Sequence, residues 1–429
     1  MRFRFIRVLF AAVAVATGGT GATTGAQAQP ASASDAYVSY WDGIGNQAFT
    51  AAALAPPEGA VIFANVGIAE YDSVLAIEGG YQPFAVDLDA PDGASPEAAV
   101  VAAAHAILAH YLPGQAATIL DPAYVQSLGT IPDGQAKDDG VATGEEVAAI
   151  LIEQRADDGF RAPVTYTPPD PPIPGVWIPT APSPPIGTYL PYMRPFSLDS
   201  PDQFRPGGPP PLSSRRWAED YNEVKEIGSR TSTIRTTGQT LAARFWGEPP
   251  LQQAHASFRK FVLDRGLDIG DASRFMAMMT VVRADALIAC FDAKYHYMFW
   301  RPAAAIVLSG ADGKSRTEPD ATWRPLRTTP NHPEYPAAHA CHTSAIVEAL
   351  RAFFGTDEVR ISLDSRTTAT TRTFSRLHEI VEEVEDARVF AGFHFRNSDR
   401  TGSRLGRDVA RFVAAERFRP VAGSKPRRP

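Results

Sequence analysis

Only two cysteines, Cys290 and Cys341, occur in 429 residues. An exported protein can keep a disulfide, but two thiols are no disulfide framework, and a chain this long needs no such staple. The mature chain offers no hydrophobic run that reads as a membrane span, which takes roughly 20 residues. An excess of basic charge is also missing, the formal net charge being −7. Removing residues 1–28, which hold three arginines and no acid, moves it from −7 to −10. Such an acidic chain is a poor candidate for general nucleic-acid binding, so any anion must be held by a local cluster rather than by the overall field. Period-two alternation is scarce, which argues against a sheet, and no internal repeat is visible.

The N-terminus has its own character. Arg2, Arg4 and Arg7 precede the apolar run "VLFAAVAVA" and a small-residue stretch ending "GAQAQ". This reads as a secretory signal peptide over residues 1–28, cleaved after Ala28, and places the mature protein in the periplasm or outside the cell. No twin-arginine pair is present, which favours the general export route; a short membrane anchor is the competing reading.

The remainder reads as all-α: helical bundles packed together, with an ordered proline-rich connecting segment. Residues 29–160 form an N-terminal helical region. "PPEGAVIFANVGIAEYDSVLAIEGGY" starts with prolines and ends with glycines, and "SPEAAVVAAAHAILAHYL" is apolar on nearly every face, the mark of a buried helix. Residues 161–215 carry proline too often for regular helix, yet hold Trp177, Tyr189, Tyr192, Met193 and Phe196. An ordered, extended segment wrapped over a helical core fits better than a flexible linker. Helical periodicity returns over 216–420, including the long stretch "DIGDASRFMAMMTVVRADALIACFDAKYHYMFW", and residues 421–429 read as a disordered tail.

Three segments carry candidate chemistry. Lys294 and Arg301 are seven residues apart, two turns of a helix, so on a continuous helix both face one way, either to grip an oxyanion or as a solvated basic surface. Arg388 and His394 lie six apart; one offers a planar donor fork and the other a ligand or nucleophile nitrogen. Between them lies "HPEYPAAHACH", residues 332–342. Its prolines stop any preceding helix. A helix resuming near Ala338 would turn the backbone N–H groups of Ala337, Ala338 and His339 outward as an anion site, with His339 as acid or base and His342 as a packing or supporting residue. Zinc is the rival for these histidines and Cys341, but no pair has a familiar zinc spacing and no H-E-x-x-H is present.

In chain order the segments read Lys294-x6-Arg301-Pro302, Pro336-Ala-Ala-His339 and Ala387-Arg388-x5-His394. This resembles the vanadium-dependent haloperoxidase and type 2 phosphatidic acid phosphatase superfamily, with its K-x6-R-P, P-S-G-H and S-R-x5-H, and specifically the bacterial haloperoxidase branch. The resemblance implies a fold of two packed helical bundles. It implies that Lys294, Arg301 and Arg388 bind the oxygens of vanadate, or of phosphate in a phosphatase. It makes His394 the vanadium ligand or phosphate-accepting nucleophile, His339 the acid–base group, and the Ala338 N–H a donor to the anion. Peroxide, halide and a small organic molecule are then the partners. His332, seven residues before His339, stands where the family tends to have histidine in bromoperoxidases and phenylalanine in chloroperoxidases, so bromide is the expected halide; a surface histidine before a proline is the alternative. The same motifs leave open an exported acid phosphatase with a phosphohistidine intermediate and a non-catalytic oxyanion-binding homologue.

Several positions depart from the family pattern. Ala337 stands for the serine and Ala338 for the glycine, Ala387 replaces the serine before the arginine, and Asp399 follows His394 by five residues rather than four. Cys290 and Cys341 each lie near a site segment, as small buried residues or as a disulfide pair.

Overall fold

Local capping chemistry sets several helix boundaries. The computed structural model describes residues 35–180, 184–309 and 316–421; the signal-peptide reading and residues 422–429 of the tail lie outside the described residues. α1 (Asp35–Ala51) leads into α2 (Pro56–Glu78), which opens on two prolines and closes at Gly79. α3 (Pro96–Tyr111) is capped by Ser95, whose Oγ accepts from the Ala98 N–H at 3.2 Å. α4 (Asp121–Leu128) and α5 (Gln135–Arg155) complete the first group. After the proline-rich stretch come α6 (Arg215–Ile227), capped by Ser214, α7 (Thr237–Phe245), capped by Thr236, and α8 (Pro250–Arg265). α9 (Ile269–Tyr297) starts at an Asp268 cap, and α10 (Pro302–Leu308) follows after a short break. α11 (Ala338–Phe354), α12 (Leu377–Phe390) and α13 (Arg396–Glu416) finish the described chain. Serine, threonine and aspartate caps satisfy N–H groups that the first turn leaves without partners. At α11 the cap position is Ala337, which has no oxygen to offer, so that helix entrance is left for other acceptors.

The axis of the molecule is α9. From Ile269 to Lys294 nearly every side chain is buried, including the charged Asp271, Arg274, Arg283, Asp285, Asp292 and Lys294. α2 packs along it, and so do α11 and α13. By length and composition α2 could cross a bilayer, against the expectation of no such run, but 83% of its most apolar window is buried inside the protein. α11 and α13 approach unusually closely. A β-carbon on Gly402 would stand 2.5 Å from the Ala337 carbonyl oxygen, and one on Gly406 would stand 1.9 Å from that of Cys341.

Helix dominates, with one exception among the described residues: an antiparallel hairpin pairs β1 (Ile361–Ser365) with β2 (Thr370–Phe374). Its strands are five residues each, and β2 buries only Phe374 well, so alternation there is too weak to show in the sequence.

The proline-rich stretch forms almost no regular structure but is tied to α9 by buried acids. Asp285 accepts the N–H groups of Phe196 and Ser197 at 2.7 and 2.8 Å. Asp292 accepts two bonds from Arg205 at 2.7 and 2.8 Å, the bidentate geometry that favours arginine. Trp177, fully buried, donates its backbone N–H to the Met298 carbonyl.

Candidate active site

Lys294 lies in the last turn of α9, but Arg301 is not on that helix. α9 ends at Met298 in a left-handed conformation (φ 50°), and Arg301 is the N-cap residue of α10. The common-face argument from a seven-residue spacing therefore fails; the chain break, not helical periodicity, aims the two side chains. Lys294 is fully buried, and its ammonium donates to the carbonyls of Pro333, Glu334 and Pro336, the first two at 2.9 Å. Burial lowers its pKa to about 8. Lys294 thus fixes the loop that leads into α11.

Arg301 is the hub. Its Nε donates to the His332 carbonyl at 3.0 Å, one Nη to the Phe393 carbonyl at 3.0 Å, and the other lies 3.1 Å from His332 Nδ1. The Nη that serves Phe393 also lies 3.0 Å from His394 Nε2. Arginine has only donors, so Nε2 must be the acceptor, and the ring proton sits on Nδ1. Nδ1 lies 2.9 Å from Glu334 Oε1, which also accepts the Phe395 N–H at 3.0 Å, while Ser398 donates to Oε2 at 2.6 Å. Burial, then the cations Arg301, Lys294 and Arg388, hold the His394 pKa well below its ordinary value. His394 is therefore neutral with a lone pair on Nε2, the state a metal ligand or nucleophile requires. Glu334 was quoted in the sequence motif but given no role there; its burial pushes the carboxyl up to about 7.

Arg388 and His394 do not share a helix either. α12 ends at Phe390, and Gly392 adopts φ 75°, which turns the chain before His394 precedes α13. Arg388 is buried; one Nη donates to the Trp246 carbonyl at 3.1 Å, and Nε has no partner. Asp399 faces this group electrostatically: its fully buried carboxylate feels the Arg388 charge but makes no hydrogen bond. Ala387 is buried behind Arg388 in α12.

A cavity of about 320 Å³ opens onto this network. Arg388, His332, Ala338 and His339 line it, whereas Lys294, Arg301 and His394 stand behind that wall. α11 begins at Ala338, as the prolines suggested, but the Ala337 N–H is already given to the Ser398 carbonyl at 3.1 Å. Only the next first-turn N–H groups, from Ala338 and His339, remain for a ligand. Burial, followed by the Arg388 charge, holds the pKa of His339 well below its ordinary value, so it is a proton acceptor at neutral pH. His342 stands with its ring 5.2 Å from that of His339 and also lines the cavity. His332 packs against Phe291, with ring centres 5.1 Å apart. Cys290 of α9 and Cys341 of α11 are free, buried thiols with sulfurs 2.8 Å apart. The zinc reading finds no support in the placement of these side chains: among the described residues no cluster of three or more His, Cys, Asp or Glu could hold a metal ion.

Residues 274–423 match the family model of the VCPO second helical-bundle domain. Among solved structures, a bacterial vanadium-dependent iodoperoxidase aligns with a TM-score of 0.77 at 23% identity, covering 93% of this chain and 100% of that one. A bacterial vanadium-dependent chloroperoxidase in its holo form aligns with a TM-score of 0.65 at 15% identity, covering 84% of this chain and 92% of that one. The apo form gives a TM-score of 0.67 at 15% identity, covering 84% and 94%. Curated protein sequences give no significant match. The chain has the vanadium-haloperoxidase fold.

In a haloperoxidase fold the question becomes whether these residues suit vanadate. Buried cations, an orphaned Arg388 Nε, two first-turn N–H groups and a lone pair on His394 suit a tetrahedral oxyanion. Ala337 contributes no hydroxyl, and one Arg301 N–H is engaged with Nε2. The donor set fits the group in charge and lone-pair placement, without a hydroxyl from Ala337 and with the Lys294 N–H groups already given to carbonyls.

Sequence reasoning missed Glu334 and Arg283, and gave His342 only a packing or supporting place although it lines the cavity. Glu334 lies inside the 332–342 motif, and proximity to His339 was its only signal. Arg283 lies three turns before Lys294 and belongs to no motif.

Proposed function

We propose that this protein is an exported vanadate-dependent haloperoxidase that oxidises bromide with hydrogen peroxide. The observation that carries the reading is His394: a neutral imidazole, oriented by Glu334, with its Nε2 lone pair facing a buried guanidinium. Vanadate, when bound, supplies the Lewis acid that activates peroxide toward halide. The chain's own residues would do the rest. Lys294, Arg301 and Arg388 neutralise the anion's charge from a site shielded from water. Glu334 keeps the proton on His394 Nδ1 and so keeps Nε2 available. His339, on the cavity wall, would take up and return a proton. His332, seven residues before His339, where the family tends to have histidine in bromoperoxidases, is what supports bromide as the halide. The basic and apolar halves of residues 1–28 support export; N-terminal sequencing of secreted material should begin at Gln29.

The test is reconstitution with orthovanadate followed by assays with peroxide and each of iodide, bromide and chloride. Bromide oxidation that disappears in His394→Ala, with the circular dichroism spectrum unchanged, is the expected result. Chloride oxidation at the bromide rate would overturn the halide reading. Phosphate-ester hydrolysis without peroxide would move the chain to the phosphatase side, and tight anion binding with neither activity would make it a binding protein.

A further inference from the structure

Part of the cavity wall has a charge that the oxyanion chemistry does not use. Arg283 is 1% exposed and lines the cavity beside Leu287, and among the described residues none of its three guanidinium nitrogens has a hydrogen-bond partner. Eleven residues place it on the same face of α9 as Lys294, about 16 Å away along the axis. The two side chains therefore serve different ends of the face. Arg283 is the leading charge on His342, whereas Arg301 and Lys294 lead on His394. The carboxylate whose field reaches Arg283 is Asp42. Its oxygens are already engaged, at 2.5 Å from His255 Nδ1 and 2.5 Å from Arg259. His342 lines the same cavity, and neither of its ring nitrogens has a partner.

A guanidinium removed from water without a partner is strongly unfavourable, and its planar fork matches a carboxylate better than a spherical halide. The lining includes the apolar Ile186, Leu287, Phe291 and Phe393, together with the charged Glu248, Arg327 and Arg388. The volume, about 320 Å³, is larger than one tetrahedral oxyanion needs and falls in the range of small-molecule sites, about 300–1,000 Å³.

We propose that Arg283, with His342 beside it, binds the carboxylate of a small organic acid whose apolar body lies against Leu287 and Phe291. The haloperoxidase reading enters only in making that acid the organic substrate; binding itself stands on the cavity. In that role a carbon–halogen bond forms from hypohalous acid, and the displaced hydrogen leaves with the hypohalous oxygen as water.

Sodium benzoate is the probe, and benzyl alcohol its neutral counterpart, titrated by calorimetry into wild type, Arg283→Gln, Arg283→Lys and Arg388→Gln at one pH and salt. Benzoate should bind wild type and weaken roughly tenfold or more in Arg283→Gln, with partial retention in Arg283→Lys and no change for benzyl alcohol. Orthovanadate affinity should be the same in wild type and Arg283→Gln. Equal benzoate affinities in those two proteins, or no benzoate binding by wild type, overturn the proposal. So does benzoate binding lost in Arg388→Gln but kept in Arg283→Gln, which places the acid in the oxyanion cradle. Loss of orthovanadate binding in Arg283→Gln assigns Arg283 to that cradle instead and also overturns it. Benzoate binding as expected in a protein that oxidises no halide would refute the haloperoxidase reading and leave the carboxylate site standing.

Discussion

Lys294 and Arg283 stand on one face of α9, both buried, and burial pushes both pKa values down. Their surroundings are opposite. Three carbonyls surround the Lys294 ammonium, and through it the loop from Pro333 to Pro336 is held against α9. No acceptor meets Arg283. A buried cation ringed by carbonyls is part of the protein's frame even before it meets a ligand. A buried cation without acceptors contributes nothing to that frame and is accounted for only by what enters the cavity.

The strongest test of this contrast is stability. Lys294→Met should lower unfolding free energy by about 3–5 kcal/mol, because three buried carbonyls lose their donor. Arg283→Met should be neutral or more stable by about 1–4 kcal/mol, since it replaces an unpaired buried charge with an apolar side chain. Urea denaturation of both variants decides; equal losses would mean that Arg283 has a partner within the protein, and the contrast would collapse.

A second test concerns the orientation of His394. Glu334→Gln should weaken orthovanadate binding by about ten- to a hundredfold while the fold persists, as removal of a hydrogen-bonded support behind a metal ligand does. Calorimetry with a circular dichroism control reads both. Unchanged affinity would show that Arg301 alone orients the ring.

The third test uses pH. Lys294 has a folded pKa of about 8, below its ordinary 10.5. Between these values the unfolded chain keeps a proton that the folded protein releases, so this group's contribution to stability rises with pH across that window. The stability gap between wild type and Lys294→Met should therefore widen from pH 7 to pH 10, by on the order of 1–3 kcal/mol. A constant gap would mean that the surrounding carbonyls keep the ammonium charged.

The smallest effect is expected at Ala337. Ala337→Ser offers one more donor to a charged oxygen, a gain of roughly tenfold in orthovanadate affinity. The Ala338 methyl, which stands where the family pattern has glycine, keeps the gain at that low end. Weaker binding by the serine variant would show that the cradle is not shaped for the family's anion.

The helical architecture was readable because its signals are local: prolines at helix starts, glycines at ends, and a stretch over 96–111 apolar on nearly every face. Lys294, Arg301, Arg388 and His394 were readable as residue types at fixed spacings. The geometry behind those spacings was not. Periodicity put each pair on a continuous helix, whereas the chain breaks at Met298 and Gly392 to aim them. Glu334 and Arg283 leave no local trace, because their roles come from what lies opposite them in space: His394 Nδ1 for one, a cavity for the other. The hairpin from Ile361 to Phe374 escaped notice because it is too short for alternation to build up.

The bond from Arg301 to His394 Nε2 also has a consequence in time. Any group that bonds to that nitrogen must first take its acceptor position from a guanidinium that is fixed elsewhere by the His332 and Phe393 carbonyls. It must also come from the cavity past a wall that includes His332 and Arg388. Loading and release of the proposed anion would then carry a barrier of their own, separate from its affinity. Two preparations of equal affinity would differ in occupancy according to how long each had been exposed to the anion, and dilution would empty the site only gradually.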